Sequence, residues 1–272
     1  MVISIYRKKL LFIFVFGLTI NGYCQNYISD ENIRNNRSNS IMVGKFSLII
    51  EPQVFSSAKL TDCIGYKKFE NKSIWNGSLG FGYELQRNHR NELYVLAFAY
   101  FEPLYKISFE IKEEELPDGY YGLYPVTTSD YTMASFSLGI YNRYRLKYHK
   151  SVSYNIIGGV NVKYFPYGSS DFGVGLSNTT HTESLNVFNL YCESSSRSIH
   201  GSCQIGAGIG FAIWKGYLNI ELLRNFNFND SITGEYIWWN LADNGISSGN
   251  YKLKGDYTSL KLSIRRLIKI ED

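Results

Sequence analysis

The stretch Ser202-Cys-Gln-Ile-Gly-Ala-Gly-Ile-Gly-Phe-Ala-Ile-Trp214 decides the fold. Cys203, Ile205, Ala207, Ile209, Phe211 and Ile213 alternate with Ser202, Gln204, Gly206, Gly208, Gly210 and Ala212. A period of two belongs to a β-strand, whose successive side chains point to opposite faces. One face here is oily, and the other is small or polar.

The same split extends outward along the chain. In 72–86, Trp75, Leu79, Phe81, Tyr83 and Leu85 oppose Asn76, Ser78, Gly80, Gly82 and Glu84. In 132–145, Phe136, Leu138 and Ile140 oppose Ser135, Ser137, Gly139 and Arg143, and 153–165 repeats the pattern. Segments 42–54, 92–110, 217–228 and 256–268 bring the number of strands to eight. The connections 87–91, 146–152 and 215–216 are short, whereas 55–71, 111–131, 166–201 and 229–255 are long. Three short turns on one side and four long loops on the other is the count for an all-β, eight-stranded antiparallel up-and-down barrel with both termini on the short-turn side. The small, polar faces would make a thin soluble core but suit a narrow lumen, so a transmembrane β-barrel is expected, with the oily faces toward lipid. A soluble periplasmic lipocalin-like barrel, with the polarity reversed, is the alternative architecture.

The composition agrees. The 272 residues include 23 Tyr, 17 Phe and 24 Gly but only 5 Pro, which suits pleated strands with crowded positions. Residues 1–24 read as a signal peptide, with Arg7, Lys8 and Lys9 before an 11-residue apolar stretch, too short to cross a bilayer as a helix. Cleavage is expected after Cys24, leaving 25 basic and 24 acidic residues. That near-neutral balance, without a basic block, excludes nucleic acid as a partner. Residues 25–40 are expected to be a flexible periplasmic lead-in, and 41–270 the outer-membrane barrel domain.

Amphipathic rings favour the headgroup level, so Trp75, Tyr83, Tyr100, Tyr144, Tyr154, Tyr164, Trp214 and Tyr217 are expected at the membrane interfaces. Arg224 and Arg266 fall on the oily parity and call for bulges, interfacial positions or snorkelling. On the inward parity, Lys45 with Glu84 and Glu221 with Arg265 stand at similar heights and are candidate lumen ion pairs. Of Cys63, Cys192 and Cys203, a Cys192–Cys203 disulfide is favoured over Cys63–Cys192 because it closes a short loop. Spacing alone leaves both open.

The segments Asn76-Gly-Ser-Leu-Gly-Phe-Gly-Tyr83, Gly206-Ala-Gly-Ile-Gly-Phe211, Tyr217-Leu-Asn-Ile-Glu-Leu-Leu-Arg224 with Asn225-Phe-Asn-Phe228, and the closing strand 257–264 resemble bacterial outer-membrane barrels. The likeness is to the porin-like family that includes PorT and, more broadly, to OmpA/OmpX-type eight-stranded barrels, and it covers 41–270. It implies integral residence in the outer membrane, with membrane lipid, lipopolysaccharide and other envelope proteins as partners, and a role in secretion for PorT-like members. The Ile270-Glu271-Asp272 ending departs from the aromatic end common in such barrels.

Motifs for chemistry are sparse. Gly245-Ile-Ser-Ser-Gly249 matches a nucleophile elbow in letters but lacks the strand and helix that an elbow requires. Gly206, Gly208 and Gly210 alternate within a strand, which is no phosphate loop. His181 and His200 share a loop as a weak metal candidate. Glu113, Glu114, Glu115, Asp118, Asp130 and Asp171 supply carboxylates at the outer rim. No cofactor is expected. The leading reading is a non-enzymatic barrel with a side-chain-filled lumen, acting through its outer loops in binding, adhesion or an envelope complex. A small-solute porin and a rim-located hydrolase or acyltransferase are the alternatives.

Overall fold

Alternating sequences become strands because each can place its two faces in two different environments. The computed structural model describes residues 41–87, 90–121, 126–149, 152–166, 168–178, 183–194, 198–213, 216–242 and 245–269. The expected signal peptide and lead-in lie outside the described residues. β1 (Ile41–Phe55), β2 (Lys59–Ile64), β3 (Glu70–Asn71), β4 (Ile74–Arg87) and β5 (Asn91–Glu110) lead into a single 3-10 turn at Glu113–Glu115. β6 (Tyr120–Tyr121), β7 (Val126–His149), β8 (Val152–Tyr164), β9 (Ser169–Asn178) and β10 (Ser184–Ser194) follow. β11 (Ile199–Ile213), β12 (Gly216–Asn227), β13 (Ile232–Trp238), β14 (Ser247–Leu253) and β15 (Tyr257–Lys269) complete the chain.

Eight strands close on themselves in the order β1, β4, β5, β7, β8, β11, β12, β15 and back to β1, every pair antiparallel. Closure leaves no unpaired edge in the wall. These are the eight strands expected from the alternation. The lumen is narrow, so glycines on one strand make room for large side chains on the next. Gly80 faces Phe98 and Gly159 faces Tyr141 across the ladder, and a Cβ at either glycine would run into that ring.

The long connections are where sequence and structure part. They do not hang as separate loops. β2, β14, β13, β10, β9 and β6 form a second, six-stranded antiparallel sheet. It packs over the upper part of β5 around its own core, which contains Phe69, Leu104, Ile107, Phe109, Phe188, Leu190, Ile232, Tyr236, Trp238 and Tyr251. We term this layer the cap. The described residues therefore hold two cores, the cap's and the lumen's. The β5–β7 hairpin serves both, because its strands run beyond β8 into the cap.

Candidate functional site

The wall's polarity follows from strand parity. Leu138 (58% exposed), Val160 (57%), Ile205 (58%) and Leu222 (61%) point outward, while Glu92 and Glu221 are 0% exposed inside. Exposed apolar surface on this scale, wrapped around charged groups, is stable only if the surrounding solvent is hydrocarbon. In hydrocarbon no water satisfies an unpaired backbone group, and a closed barrel leaves none. The chain is an integral membrane β-barrel. Along β4, Trp75 and Tyr83 stand eight residues apart on the outer face. At about 3.3 Å per residue and about 40° tilt this is roughly 20 Å of height, close to the apolar band of roughly 25 Å in such barrels.

Outward-facing aromatics stand at two levels of the wall. Tyr83, Tyr144 and Tyr154 face outward toward the short-turn end, and Trp75 and Tyr164 toward the cap. Tyr100 and Tyr217 correct the expectation. Both are buried in the lumen, where the Tyr217 hydroxyl is 2.7 Å from Ser153 Oγ and Tyr100 packs in the lumen cluster with Phe98 and Tyr257. Trp214 lies outside the described residues. Arg224 faces outward at the level of Trp75 and reaches up, donating to Thr258 Oγ1 at 2.9 Å and Ser56 Oγ at 3.0 Å. Arg266 is exposed opposite Gly216, at the short-turn end.

The lumen is plugged in layers. Toward the short-turn end, Arg265 bridges Glu84 at 2.8 Å and Glu92 at 3.3 Å, and Arg143 bridges Glu92 at 2.8 Å and also Glu221. Lys261 reaches Glu221 at 2.8 Å, and Arg145 and Arg87 close the ring around Glu92 and Glu84. The Arg143 and Arg265 guanidiniums lie 4.8 and 5.4 Å from the Tyr94 ring. The four sequence-selected residues thus meet other partners than expected. Glu84 joins Arg265, and Glu221 joins Arg143 and Lys261. Lys45 is the exception: a register shift between Val43 and Ser47 interrupts its strand, and its ammonium stands 6.0 Å from Tyr83, an outer-face ring.

Above this ring, Ile49, Leu96, Phe98, Tyr141 and Ile157 fill the axis. Glu51, 1% exposed, is held there by neutral donors: Ser78 Oγ (3.3 Å), Gln204 Nε2 (3.1 Å) and Ser259 Oγ (2.5 Å). Under the cap, Lys163 Nζ stands 3.9 Å from Glu102 and over the rings of Tyr100 and Tyr257 at 5.6 and 5.2 Å. Ser231 donates to Glu102 at 2.9 Å. A cavity of about 10 Å³ lies between Ser47, Tyr94, Tyr141 and Arg265, room for one water at most. Sequence reasoning singled out the glycine face but missed Glu51, Glu92 and Glu102. A lone carboxylate inside an otherwise apolar stretch was the available signal for Glu51 and Glu102.

The cap's core is aromatic. The Trp238 ring stands 4.4 Å from Phe188 and 4.8 Å, edge-on, from Phe109. Lys67 Nζ lies 5.4 Å from the Trp238 ring, donates to the Glu110 carbonyl at 2.8 Å and pairs with Glu115. Glu115 is thereby a structural member of the rim's acidic turn. Cys192 is buried in the cap core, whereas Cys203 lies on the barrel's outer face beside Phe226 and Val160, and no disulfide joins them. Strand parity separates the two: Cys192 faces the cap interior and Cys203 faces lipid. Burial, with the Asp171 charge nearby, pushes the Cys192 thiol up to about 12. At pH 8 its nucleophilic thiolate is essentially absent. In the folded protein Cys192 is expected to resist iodoacetamide at pH 8 and to react once the cap is unfolded. Peptide mapping of the labelled protein reads this out, and labelling of Cys192 in the native protein would contradict the packed cap. His200 is buried at the top of the lumen, and its proposed companion His181 lies outside the described residues. Among the described residues no cluster of three metal-ligating side chains occurs.

No family model and no curated protein matches the chain. Among solved structures it is similar to Neisserial surface protein A, at 9% identity over 83% of this chain and 98% of that one, with a TM-score of 0.36. A major outer membrane protein from Thermus thermophilus is similar at 12% identity over 82% and 99%, TM-score 0.38. Ail, the attachment invasion locus protein of Yersinia pestis, follows at 13% identity over 80% and 99%, TM-score 0.29. It is the inverted polarity of the wall, rather than these likenesses, that makes the chain a membrane barrel.

Proposed function

We propose that the barrel is a non-conducting, non-enzymatic anchor that displays the cap at the cell surface as a recognition module, in adhesion, ligand capture or docking of an envelope complex. The supporting observation is the combination of a lumen filled from end to end with a cap that has its own packed core. A solute pore needs a continuous aqueous path, and eight strands packed with side chains leave none. A recognition module needs a rigid surface, which a cored sheet supplies better than separate loops. Export through a signal peptide cleaved after Cys24 delivers the chain, and lipopolysaccharide surrounds the cap-side aromatic level. The rim carboxylates favour structure over catalysis, since Glu115 is already committed to Lys67.

Purified protein in planar bilayers is expected to show no discrete conductance steps. Photo-crosslinkers at Tyr191 and Ile237, exposed on the outer face of the cap, are expected to capture a partner on intact cells, with capture lost when the cap core is disrupted. Stable conductance would replace this reading with the porin one. Capture that survives loss of the cap fold would remove the cap from recognition.

A further inference from the structure

The two sides of the cap sheet are protected very differently. At one edge, β2 is blunted: its pairing with β14 shifts register between Ser248 and Asn250, Asp62 adopts φ 51°, and Lys59 and Asp62 put charges along it. Bulges and charges are the usual means of keeping foreign strands off an edge. β9, next to the short end strand β6, pairs with β10 without a register shift over Ser169–Val174 and carries one charge, Asp171. Among the described residues β6 covers only Ser177 and Asn178, so Ser169–Leu176 pairs with β10 alone. The run contains no proline, lysine or arginine.

The ladder shows which groups are unpaired. The Ser194 amide donates to the Gly168 carbonyl at 2.9 Å, and the register continues with Ser169 opposite Glu193, Asp171 opposite Tyr191 and Gly173 opposite Asn189. In an antiparallel pair the residues alternate between bonding their partner and facing away from it. Ser170, Phe172 and Val174 therefore bond β10, while Ser169, Asp171 and Gly173 turn their amides and carbonyls to the open side. Backbone groups repeating every second residue are matched only by another extended backbone. β9 and β10 carry Asp171 and Glu193, both exposed, and no cation. Charge complementarity selects a basic segment.

We propose that the open edge of β9 is a strand-addition site that takes an extended, basic segment of a partner protein. It rests on the cap being a recognition module and names the surface used. The test uses the full chain in lipid nanodiscs and a synthetic decapeptide of alternating valine and threonine carrying two lysines, with amide hydrogen exchange as readout. The peptide is expected to slow exchange at Ser169, Asp171 and Gly173 at least tenfold. Gly173→Pro, which removes one outward amide and leaves the β10 ladder intact, is expected to abolish that protection at Ser169 and Asp171 while Phe172 and Val174 stay slow. If the proline disturbs the cap, Asp171→Lys keeps the backbone and is expected to weaken binding at least fivefold. No protection by the peptide, or binding unchanged in both variants, overturns the edge site. Failure here, with cap-dependent crosslinking on cells intact, removes the edge but leaves the cap reading standing.

Discussion

Glu92→Gln is expected to be among the most damaging single substitutions in the barrel. Glu92 is wholly buried and shared by Arg143, Arg265, Arg145 and Arg87. Glutamine keeps the shape and removes the charge, which leaves guanidiniums with too few carboxylates in a lumen without bulk water. Removing one member of a buried ion pair costs about 3–5 kcal/mol, because the remaining charge stays desolvated and uncompensated. The barrel should therefore lose about that much stability in urea titrations from lipid vesicles. Lys45→Met is the internal control. Its ammonium sits by an outer-face ring away from the network, so its unfolding midpoint should stay at the wild-type value. A Glu92→Gln midpoint equal to wild type would mean that the arginines are solvated and the ring is no brace. Adding Arg143→Met should recover part of the loss, since it removes one stranded charge.

Trp238→Ala probes the other core. The indole is fully buried between Phe188 and Phe109. Truncating a large buried aromatic costs about 3–5 kcal/mol through lost transfer free energy and the cavity left behind. The two cores are largely separate, so the cost should fall on the cap. Limited proteolysis is expected to cleave within 166–201 and 229–255 in the variant, while the barrel keeps its heat-modifiable mobility on gels. Loss of the barrel together with the cap would show that they fold as one unit, and an uncleaved variant would show a cap held by something other than this core.

How far the chain could be read in advance depended on the regularity of each element. β11 alternates without interruption over 202–213, and the eight wall strands were legible from that period and from the lengths of their connections. The cap strands were not. β10 places Val187 and Phe188 side by side at a register shift, and β2 is broken by Asp62, so neither keeps a period of two long enough to stand out from a loop. The lumen residues were legible by parity but not by partner. Which inward groups meet depends on strand stagger around the closed wall, and the shift at Val43–Ser47 moved Lys45 out of the lumen set. Tyr100 misled for a local reason. β5 is oily on both faces, because Leu96 and Phe98 fill the slots left by Gly82 and Gly80 on β4, so parity there carried no sign of which side met lipid.

The direction of the oily faces carries everything else, and a nitroxide scan along β11 tests it most directly. Single spin labels placed in turn from Ser202 to Phe211, with the protein in lipid vesicles, would be read for collision with oxygen, which partitions into hydrocarbon, and with a water-soluble nickel chelate. Labels at 203, 205, 207, 209 and 211 are expected to collide with oxygen and not with nickel, and those at 204, 206 and 208 with neither. Odd positions shielded from oxygen, with even positions open to nickel, would turn the barrel inside out and contradict its place in the membrane.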